Sequence, residues 1–294
     1  MGEAIRPATG ATGQDAGAVY ALGSSLGESA RLERQAEELA ADSAALLDRV
    51  GLRPGQSAID LGCGPQGILD LLAGRVAPAG RIVGLDADPA HAARAAEFAA
   101  GRGLSGVEII TGDARSTGLP PGSFDLVHAR TLLVNVPEPA EVAAEMTRLA
   151  RPGGWVASME PDTEHALCYP PHPAFGRLQD IFTVAFRRNG ADPWIGRRVP
   201  ELLRRAGLEH VGLEARAQMY PHGNSRRTIR LDLVQSMRPQ VLEMGLATAA
   251  ELDELDAAAR AHLDDPDTVV LHGLLFLTWG RKPDHATRDF RPAW

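Results

Sequence analysis

Five short segments with strand character alternate with helical segments between residues 57 and 159, and this alternation constrains the fold more than any other feature. The five segments are Ser57–Leu61, Arg81–Leu85, Val107–Ile110, Ser123–His128 and Trp155–Met159. Parallel strands need crossover connections, which are usually helices. The pattern therefore predicts an α/β protein with a doubly wound, mostly parallel sheet.

The flanking segments predict additions to the same sheet. Residues 24–50 have helical periodicity, and two late segments, His210–Met219 and Thr268–Trp279, have strand character. Between these two, Arg226–Met244 and Ala249–Leu263 are predicted to be helical. We therefore expect a seven-stranded sheet in one integrated domain. Its parts are N-terminal helices over residues 1–50, a doubly wound core over 51–162, and further strands with a helical cap over 163–294.

Charge and composition exclude several classes of protein. The chain has 30 Lys and Arg against 38 Asp and Glu, a net charge of −8, whereas binding a nucleic acid backbone needs a dense positive surface. No apolar run approaches the roughly 20 residues that cross a bilayer, and residues 1–23 lack the apolar core of a signal peptide. The two cysteines and the spacing of His, Asp and Glu indicate no metal site. We expect a cytoplasmic protein that binds neither nucleic acid nor membrane.

The turn after the first of these segments carries three glycines where a strand passes into a helix. It reads Asp60-Leu61-Gly62-Cys63-Gly64-Pro65-Gln66-Gly67. Such a turn lets a ligand approach the backbone closely. It also fits a dinucleotide site, because Asp86 lies 22 residues after Gly64 and can hold a ribose. An NAD-dependent oxidoreductase is therefore one alternative.

Three further features favour a different ligand. Asp60 lies two residues before the first glycine, and its charge suits a cationic amino acid group better than a pyrophosphate. Asp113 follows the third segment, where a carboxylate can accept a hydrogen bond from the amine of adenine. The segment from Gly122 to Arg130 and the turn Arg151-Pro152-Gly153-Gly154 complete the set.

In their order and spacing, these motifs resemble those of the class I S-adenosylmethionine-dependent methyltransferases, particularly the ubiquinone/menaquinone-biosynthesis-like group and the small-molecule methyltransferases of bacterial natural-product pathways. The motifs are AIDLGCGPQG, RIVGLDADP, TGDA, GSFDLVHAR and RPGGWV. The resemblance implies S-adenosyl-L-methionine as the cofactor and a small, largely apolar metabolite as the acceptor, methylated at O, N or C. A non-catalytic regulatory protein that binds S-adenosylmethionine is the alternative from another class.

The resemblance implies that residues 1–50 form N-terminal lid helices and that 51–162 form a Rossmann-like cofactor-binding core. It also implies which residues contact the cofactor. The contacts are Asp60, Gly62, Gly64, His128, Ala129 and Arg130 at its methionine part, Asp86 at both ribose hydroxyls, Ala87, Asp113 and Ala114 at adenine, and Tyr20 as a lid residue. Asn135 stands where many quinone-type relatives have a His, which argues against quinone methylation.

Candidate catalytic residues follow the fifth strand-like segment. Glu160 and His165 are expected at the carboxyl edge of the sheet, where either can orient the acceptor or take its proton. The acceptor pocket is expected beneath a cap formed by residues 163–190 and 221–265. The apolar residues expected to line it are Phe175, Phe182, Phe186, Leu233 and Met237.

The second half of the chain is rich in arginine pairs. They are Arg187 with Arg188, Arg197 with Arg198, Arg204 with Arg205, and Arg226 with Arg227 and Arg230. Arginines at helical spacing usually lie on a solvated helix face, and we interpret these in that way, with binding of an anionic substrate as the alternative. The oligomeric state, including a homodimer, is left open.

Overall fold

The computed structural model describes residues 26–284, and Tyr20, the predicted lid residue, lies outside them. One eight-stranded sheet runs through this part of the chain. Its strands are β1 (Ser57–Leu61), β2 (Arg81–Asp86), β3 (Val107–Thr111), β4 (Phe124–Arg130), β5 (Ala150–Asp162), β6 (Leu167–Tyr169), β7 (Glu209–Met219) and β8 (Val269–Arg281).

The helices precede, connect and cover these strands. They are α1 (Leu26–Glu38), α2 (Ala40–Val50), α3 (Leu69–Val76), α4 (Pro89–Gly101), α5 (Pro139–Leu149), α6 (Pro173–Arg188), α7 (Ile195–Arg205), α8 (Ile229–Ser236), α9 (Arg238–Glu243) and α10 (Ala249–Leu263). Two short 3-10 helices span Leu133–Asn135 and Ser225–Thr228.

The sheet is doubly wound and mostly parallel, as predicted. Its strand order is β3-β2-β1-β4-β5-β8-β6, and β7 also pairs with β8. The first five strands are parallel, whereas β8 runs antiparallel to β5, β6 and β7. The extra strand β6 was not predicted, because three residues are too few to show an alternating pattern.

Alternate residues of the central strands point to opposite faces of the sheet and pack into two separate cores. Ile59 and Val127 belong to one core, which the helices α5 to α8 cover. Ala58 and Leu126, their chain neighbours, belong to the other, which α2 and α3 cover. This two-sided burial explains why apolar residues stand at adjacent positions in β1 and β4, since neither face meets water.

Two predictions about individual elements were wrong. We expected one late helix from about Arg226 to Met244, but the chain forms a 3-10 turn followed by the two helices α8 and α9. Pro239 stands in the first turn of α9, and a proline ring opposes helical continuation of the residues before it. The fifth strand is also longer than expected, so Glu160 lies within β5 and not after it.

Candidate cofactor and acceptor site

The glycine turn lies where β1 ends and α3 begins. Gly62, Gly64 and Gly67 have φ angles of +66°, +57° and +58°, a left-handed conformation that other residues rarely adopt. Space is also short, because a Cβ on Gly62 would come within 2.8 Å of Cδ1 of Leu132, and one on Gly67 would overlap the carboxylate of Asp60. The turn can therefore keep its shape only with glycines.

Asp60 is buried against this turn. Its Oδ1 lies 2.7 Å from Nδ1 of His128, and its Oδ2 accepts the backbone N–H of Ile68 at 3.0 Å. Asp60 is only 1% exposed. The carboxylate therefore links β1, β4 and the start of α3, and its expected contact with the cofactor stays a prediction.

Asp86 faces the same turn from the end of β2. Its Oδ2 accepts the backbone N–H of Gly64 at 2.7 Å, and its Oδ1 accepts that of Asp88 at 2.9 Å. Ionised carboxylate oxygens have further lone pairs, so this group can also accept bonds from two adjacent hydroxyls. Ala87 is exposed directly after it. The structure thus brings Asp86 and the glycine turn together.

Asp113 follows β3 beside the end of β2, where Gly112 N–H donates to the carbonyl of Asp86 at 2.9 Å. Its carboxylate accepts a 2.7 Å bond from Arg115 Nη2, and this hydrogen bond is the main cause of the lowered pKa of Asp113. Arg115 also donates to Glu138 at 3.1 Å. Arg115 was not predicted from the sequence, although it lies two residues after Asp113, close enough in the chain to form this ion pair. Ala114 is buried.

The last residues of β4 support the turn. Arg130 donates from Nη1 to Ser43 Oγ at 3.0 Å and from Nη2 to the carbonyl of Gly67 at 3.1 Å. Burial lowers the pKa of this guanidinium. Ala129 is fully buried beside it. Arg130 therefore ties α2 to the glycine turn, a structural contact that the resemblance did not imply.

Glu160 is fully buried within β5 and binds the segment that follows β4. Its Oε1 accepts the backbone N–H groups of Leu132 and Leu133, each at 3.0 Å, and its Oε2 accepts that of Val134 at 3.2 Å. Despite these donors, burial raises the pKa of Glu160 to about 8. Both carboxylate oxygens therefore accept hydrogen bonds from backbone N–H groups at the start of the 3-10 helix.

His165, the second candidate catalytic residue, is exposed on the loop between β5 and β6. It is not among the residues that line the neighbouring cavity, whereas Pro161 and Thr163 are. A catalytic role for Glu160 or His165 stays a prediction.

A cavity of about 110 Å³ lies between α1, the end of β4, α6, α8 and β8. Phe182, Phe186 and Leu233, three of the residues predicted to line the acceptor pocket, line this cavity, and its use by the acceptor stays a prediction. Phe175 and Met237 do not line it and are buried in the core. The cap helices thus supply apolar walls, and Thr131, Arg226, Arg230 and His272 add polar groups.

The arginine pairs behave in two ways. The six arginines between residues 187 and 205 are exposed, as interpreted from the sequence. Arg226, Arg227 and Arg230 are buried, so the solvated interpretation was wrong for these three. The side of a helix that packs against β8 is decided by tertiary contacts, which spacing along one helix does not show.

Comparison with known proteins places this geometry in a family. Residues 59–158 match the family model described as a methyltransferase domain. This chain contains a class I S-adenosylmethionine-dependent methyltransferase domain. The resemblance seen in the sequence motifs is thereby confirmed.

Two curated relatives that match the methyltransferase domain have names that include a small molecule. The chain is 44% identical over 117 residues to nocamycin O-methyltransferase of Saccharothrix syringae, covering 40% of this chain and 41% of the relative. It is 33% identical over 115 residues to demethylmenaquinone methyltransferase of Geobacillus stearothermophilus, covering 39% of this chain and 49% of the relative. The matched part therefore spans less than half of either relative.

Solved structures share the fold over more of the chain. A putative methyltransferase from Bacillus halodurans superposes with a TM-score of 0.59 at 18% identity, covering 83% of this chain and 99% of that one. Within residues 26–284, no helix is long and apolar enough to cross a bilayer. The same residues contain no group of three or more His, Cys, Asp or Glu side chains arranged to hold a metal ion.

Proposed function

We propose that the whole protein transfers a methyl group from S-adenosylmethionine to an O, N or C atom of a small, largely apolar metabolite in a natural-product pathway. The observation that carries the proposal is the contact between Asp86 and the N–H of Gly64. A cavity with apolar walls supports it, because its lining includes Thr131, the residue before Leu132, whose side chain lies against Gly62. The glycine turn with Asp86 suits a nucleoside, and the cavity suits an apolar acceptor.

The residues present fit this cofactor. Asp86 would hold the ribose hydroxyls, Asp113 and Ala114 the adenine, and the backbone of Gly62 and Gly64 the methionine part. The space at Gly64 supports this assignment, because a Cβ there would meet only Cδ1 of Leu32, at 3.9 Å, and would occupy room beside the backbone that a ligand can use. When bound, S-adenosylmethionine supplies an electrophilic methyl group on a sulfonium that carries its own leaving group.

The chain's own residues contribute mainly positioning and exclusion of water. Gln35 of α1 donates to Oγ1 of Thr131 at 3.3 Å, and Leu32 lies 3.9 Å from where a Cβ of Gly64 would be. These contacts join α1 to the residue after β4 and to the glycine turn, and they support the proposed lid helices over 1–50. The core over 51–162 and the cap over 163–294 stay predictions.

The relatives' names support a small-molecule acceptor, since nocamycin and demethylmenaquinone are both small molecules. Asn135 donates from Nδ2 to the carbonyl of Thr131 at 2.8 Å, so its side chain stabilises the turn after β4. A location in the cytoplasm stays a prediction, and the oligomeric state stays open.

Cofactor identity is tested by calorimetry with the purified chain. We expect S-adenosylmethionine and S-adenosylhomocysteine to bind, and NAD not to bind. Transfer of a labelled methyl group is then measured across a panel of small acceptors. Tight binding of NAD, or no binding of S-adenosylhomocysteine, would contradict the proposal.

The need for a base is tested by single-turnover methylation with Glu160→Gln and His165→Asn. Loss of a general base slows the chemical step by roughly 10²–10⁴-fold, whereas loss of a rim contact mainly raises KM. Wild-type rates in both variants, with cofactor binding intact, would leave alignment as the catalytic device.

A further inference from the structure

Arg230 is a buried cation in the wall of the cavity. It is 3% exposed, and its Cζ lies 3.9 Å from the centroid of the Phe182 ring. Its Nη2 donates to the carbonyl of His272 at 3.2 Å. Its Nε and Nη1 have no hydrogen-bond partner among residues 26–284. Two donor nitrogens of a buried guanidinium are therefore unsatisfied by this part of the chain.

The neighbouring arginines differ from it. Arg226 donates to Glu38 and to the hydroxyl of Tyr220, both at 2.9 Å. Arg227 donates to four backbone carbonyls, those of Tyr220, Leu263, Asp265 and Thr268. These two guanidinium groups have hydrogen-bond acceptors within the chain. The unpartnered donor nitrogens are therefore specific to Arg230 among these three arginines.

Within residues 26–284, no carboxylate compensates the charge of Arg230. Burial alone lowers its pKa to about 9, so the group is still charged at neutral pH. Among the described residues that line the cavity there is no Asp or Glu, although Arg31 and Arg226 also line it. A buried charge without a partner is costly, and folds generally retain one only where something pairs with it.

His272 adds a hydrogen-bond acceptor and no charge. Its Nε2 donates to the carbonyl of Arg227 at 2.8 Å, and burial lowers its pKa to about 3, so Nδ1 carries a lone pair at neutral pH. Nδ1 has no partner among residues 26–284. The wall beside Arg230 thus has two guanidinium donors and one neutral acceptor, surrounded by aromatic side chains.

We propose that Arg230 binds an anionic oxygen of the methyl acceptor, either a carboxylate or an ionised enol, through Nε and Nη1. Guanidinium pairs with such oxygens by charge-assisted hydrogen bonds, and the apolar walls strengthen the attraction. The assignment rests on the proposed function, because the cavity is taken as the acceptor pocket. It narrows the acceptor from any small apolar metabolite to an apolar acid.

The test uses the full chain saturated with S-adenosylhomocysteine and two matched probes, benzoate and its neutral analogue benzamide. Calorimetry should show benzoate binding about ten-fold or more tightly than benzamide. A third probe, the cyclic enol dimedone, is ionised at pH 8 and tests whether the site takes an enolate as well as a carboxylate. Preferential binding of either anion supports the proposal. In Arg230→Met the preference for the anions should disappear while the affinity for S-adenosylhomocysteine is unchanged.

Thermal unfolding without probe supplies a second readout, with Arg227→Met as the matched control. Removing an unpaired buried charge should raise the Tm, so Arg230→Met should be at least as stable as the wild type. Arg227→Met should lower the Tm, because four backbone carbonyls lose their donor, and the bonds to those of Leu263 and Thr268 are buried. A fall in Tm for Arg230→Met as large as that for Arg227→Met would overturn the proposal.

The outcomes separate this inference from the proposed function. If the wild-type chain does not bind S-adenosylhomocysteine, the proposed function itself fails. If it binds S-adenosylhomocysteine but does not prefer either anion over benzamide, only the role of Arg230 is overturned. A loss of S-adenosylhomocysteine affinity in Arg230→Met would assign the arginine to the cofactor and would overturn the proposal as well.

Discussion

Asp60 and His128 form a buried pair across neighbouring strands, with Oδ1 of Asp60 2.7 Å from Nδ1 of His128. The parallel register of β1 and β4 places the two residues side by side. The other oxygen of Asp60 accepts the N–H of Ile68 just before α3. The shape of the glycine turn therefore depends on a carboxylate that solvent does not reach.

This pair should be strongly coupled. Asp60→Asn keeps the size of the side chain but removes its charge, and we expect it to lower the free energy of unfolding by about 1–3 kcal/mol. Urea unfolding of Asp60→Asn, His128→Asn and the double variant should give a coupling energy of roughly 0.5–3 kcal/mol. The exposed pair of Asp253 and Arg238 is the control, expected below about 1 kcal/mol. Additive effects for Asp60 and His128 would contradict the prediction.

Asp86→Ala should weaken cofactor binding by roughly 1.5–3 kcal/mol, because charge-assisted bonds to the ribose are lost. Asp88→Ala is the matched control, since Asp88 caps α4 by accepting the N–H of Ala90 at 2.8 Å. Removing that cap should cost about 1 kcal/mol of stability and leave cofactor affinity intact. Calorimetry with S-adenosylhomocysteine measures both, and equal affinities in the two variants would show that Asp86 is structural.

Gly62→Ala should both destabilise the fold and reduce cofactor affinity. The new Cβ would meet Leu132 at 2.8 Å and force a φ of +66° on an alanine, a cost of about 1–3 kcal/mol. Gly74→Ala is the opposite case, because that position lies within α3 with nothing within 4 Å of a new Cβ. It should stabilise by roughly 0.5–1 kcal/mol. Thermal unfolding of both variants tests this contrast. Equal changes in the Tm of Gly62→Ala and Gly74→Ala would contradict the prediction.

Glu160 should make stability depend on pH. Its pKa is about 8 in the folded protein, against an ordinary value of 4.5, so the folded state binds the proton more tightly than the unfolded state. The stabilisation is fully present below the ordinary pKa and is lost as the pH rises through the folded pKa. Relative to Glu160→Gln, the wild type should lose up to about 1.4 kcal/mol per pH unit between these values.

The pH effect is measured by urea unfolding at several pH values between 5 and 9. The glutamine can keep the two bonds that Oε1 accepts from Leu132 and Leu133, but its amide nitrogen cannot accept the N–H of Val134. The variant therefore carries a constant penalty of about 1–3 kcal/mol. Parallel pH profiles for the two proteins would show that the carboxyl group titrates normally.

Local patterns in the sequence were sufficient for much of the fold and for half of the site. The alternation of strands and helices predicted the parallel sheet. The three glycines predicted the turn after β1, and Asp86 was predicted to lie at the same site. These features depend on residues close in the chain or on the rule that the carboxyl ends of parallel strands share one edge. The late helices were harder, because Pro239 divides a segment whose periodicity otherwise looks continuous.

The sequence by itself thus determined the class of fold, the glycine turn and the methyltransferase resemblance, since short-range spacing encodes all three. Only the tertiary structure decided that Glu160 accepts backbone bonds from residues 132–134 and that Arg230 is buried beside His272. Both facts depend on partners 26 to 42 residues away in the chain. Burial and charge pairing are set by what packs against a side chain, and that information lies in the three-dimensional contacts of β5, β8 and the cap helices.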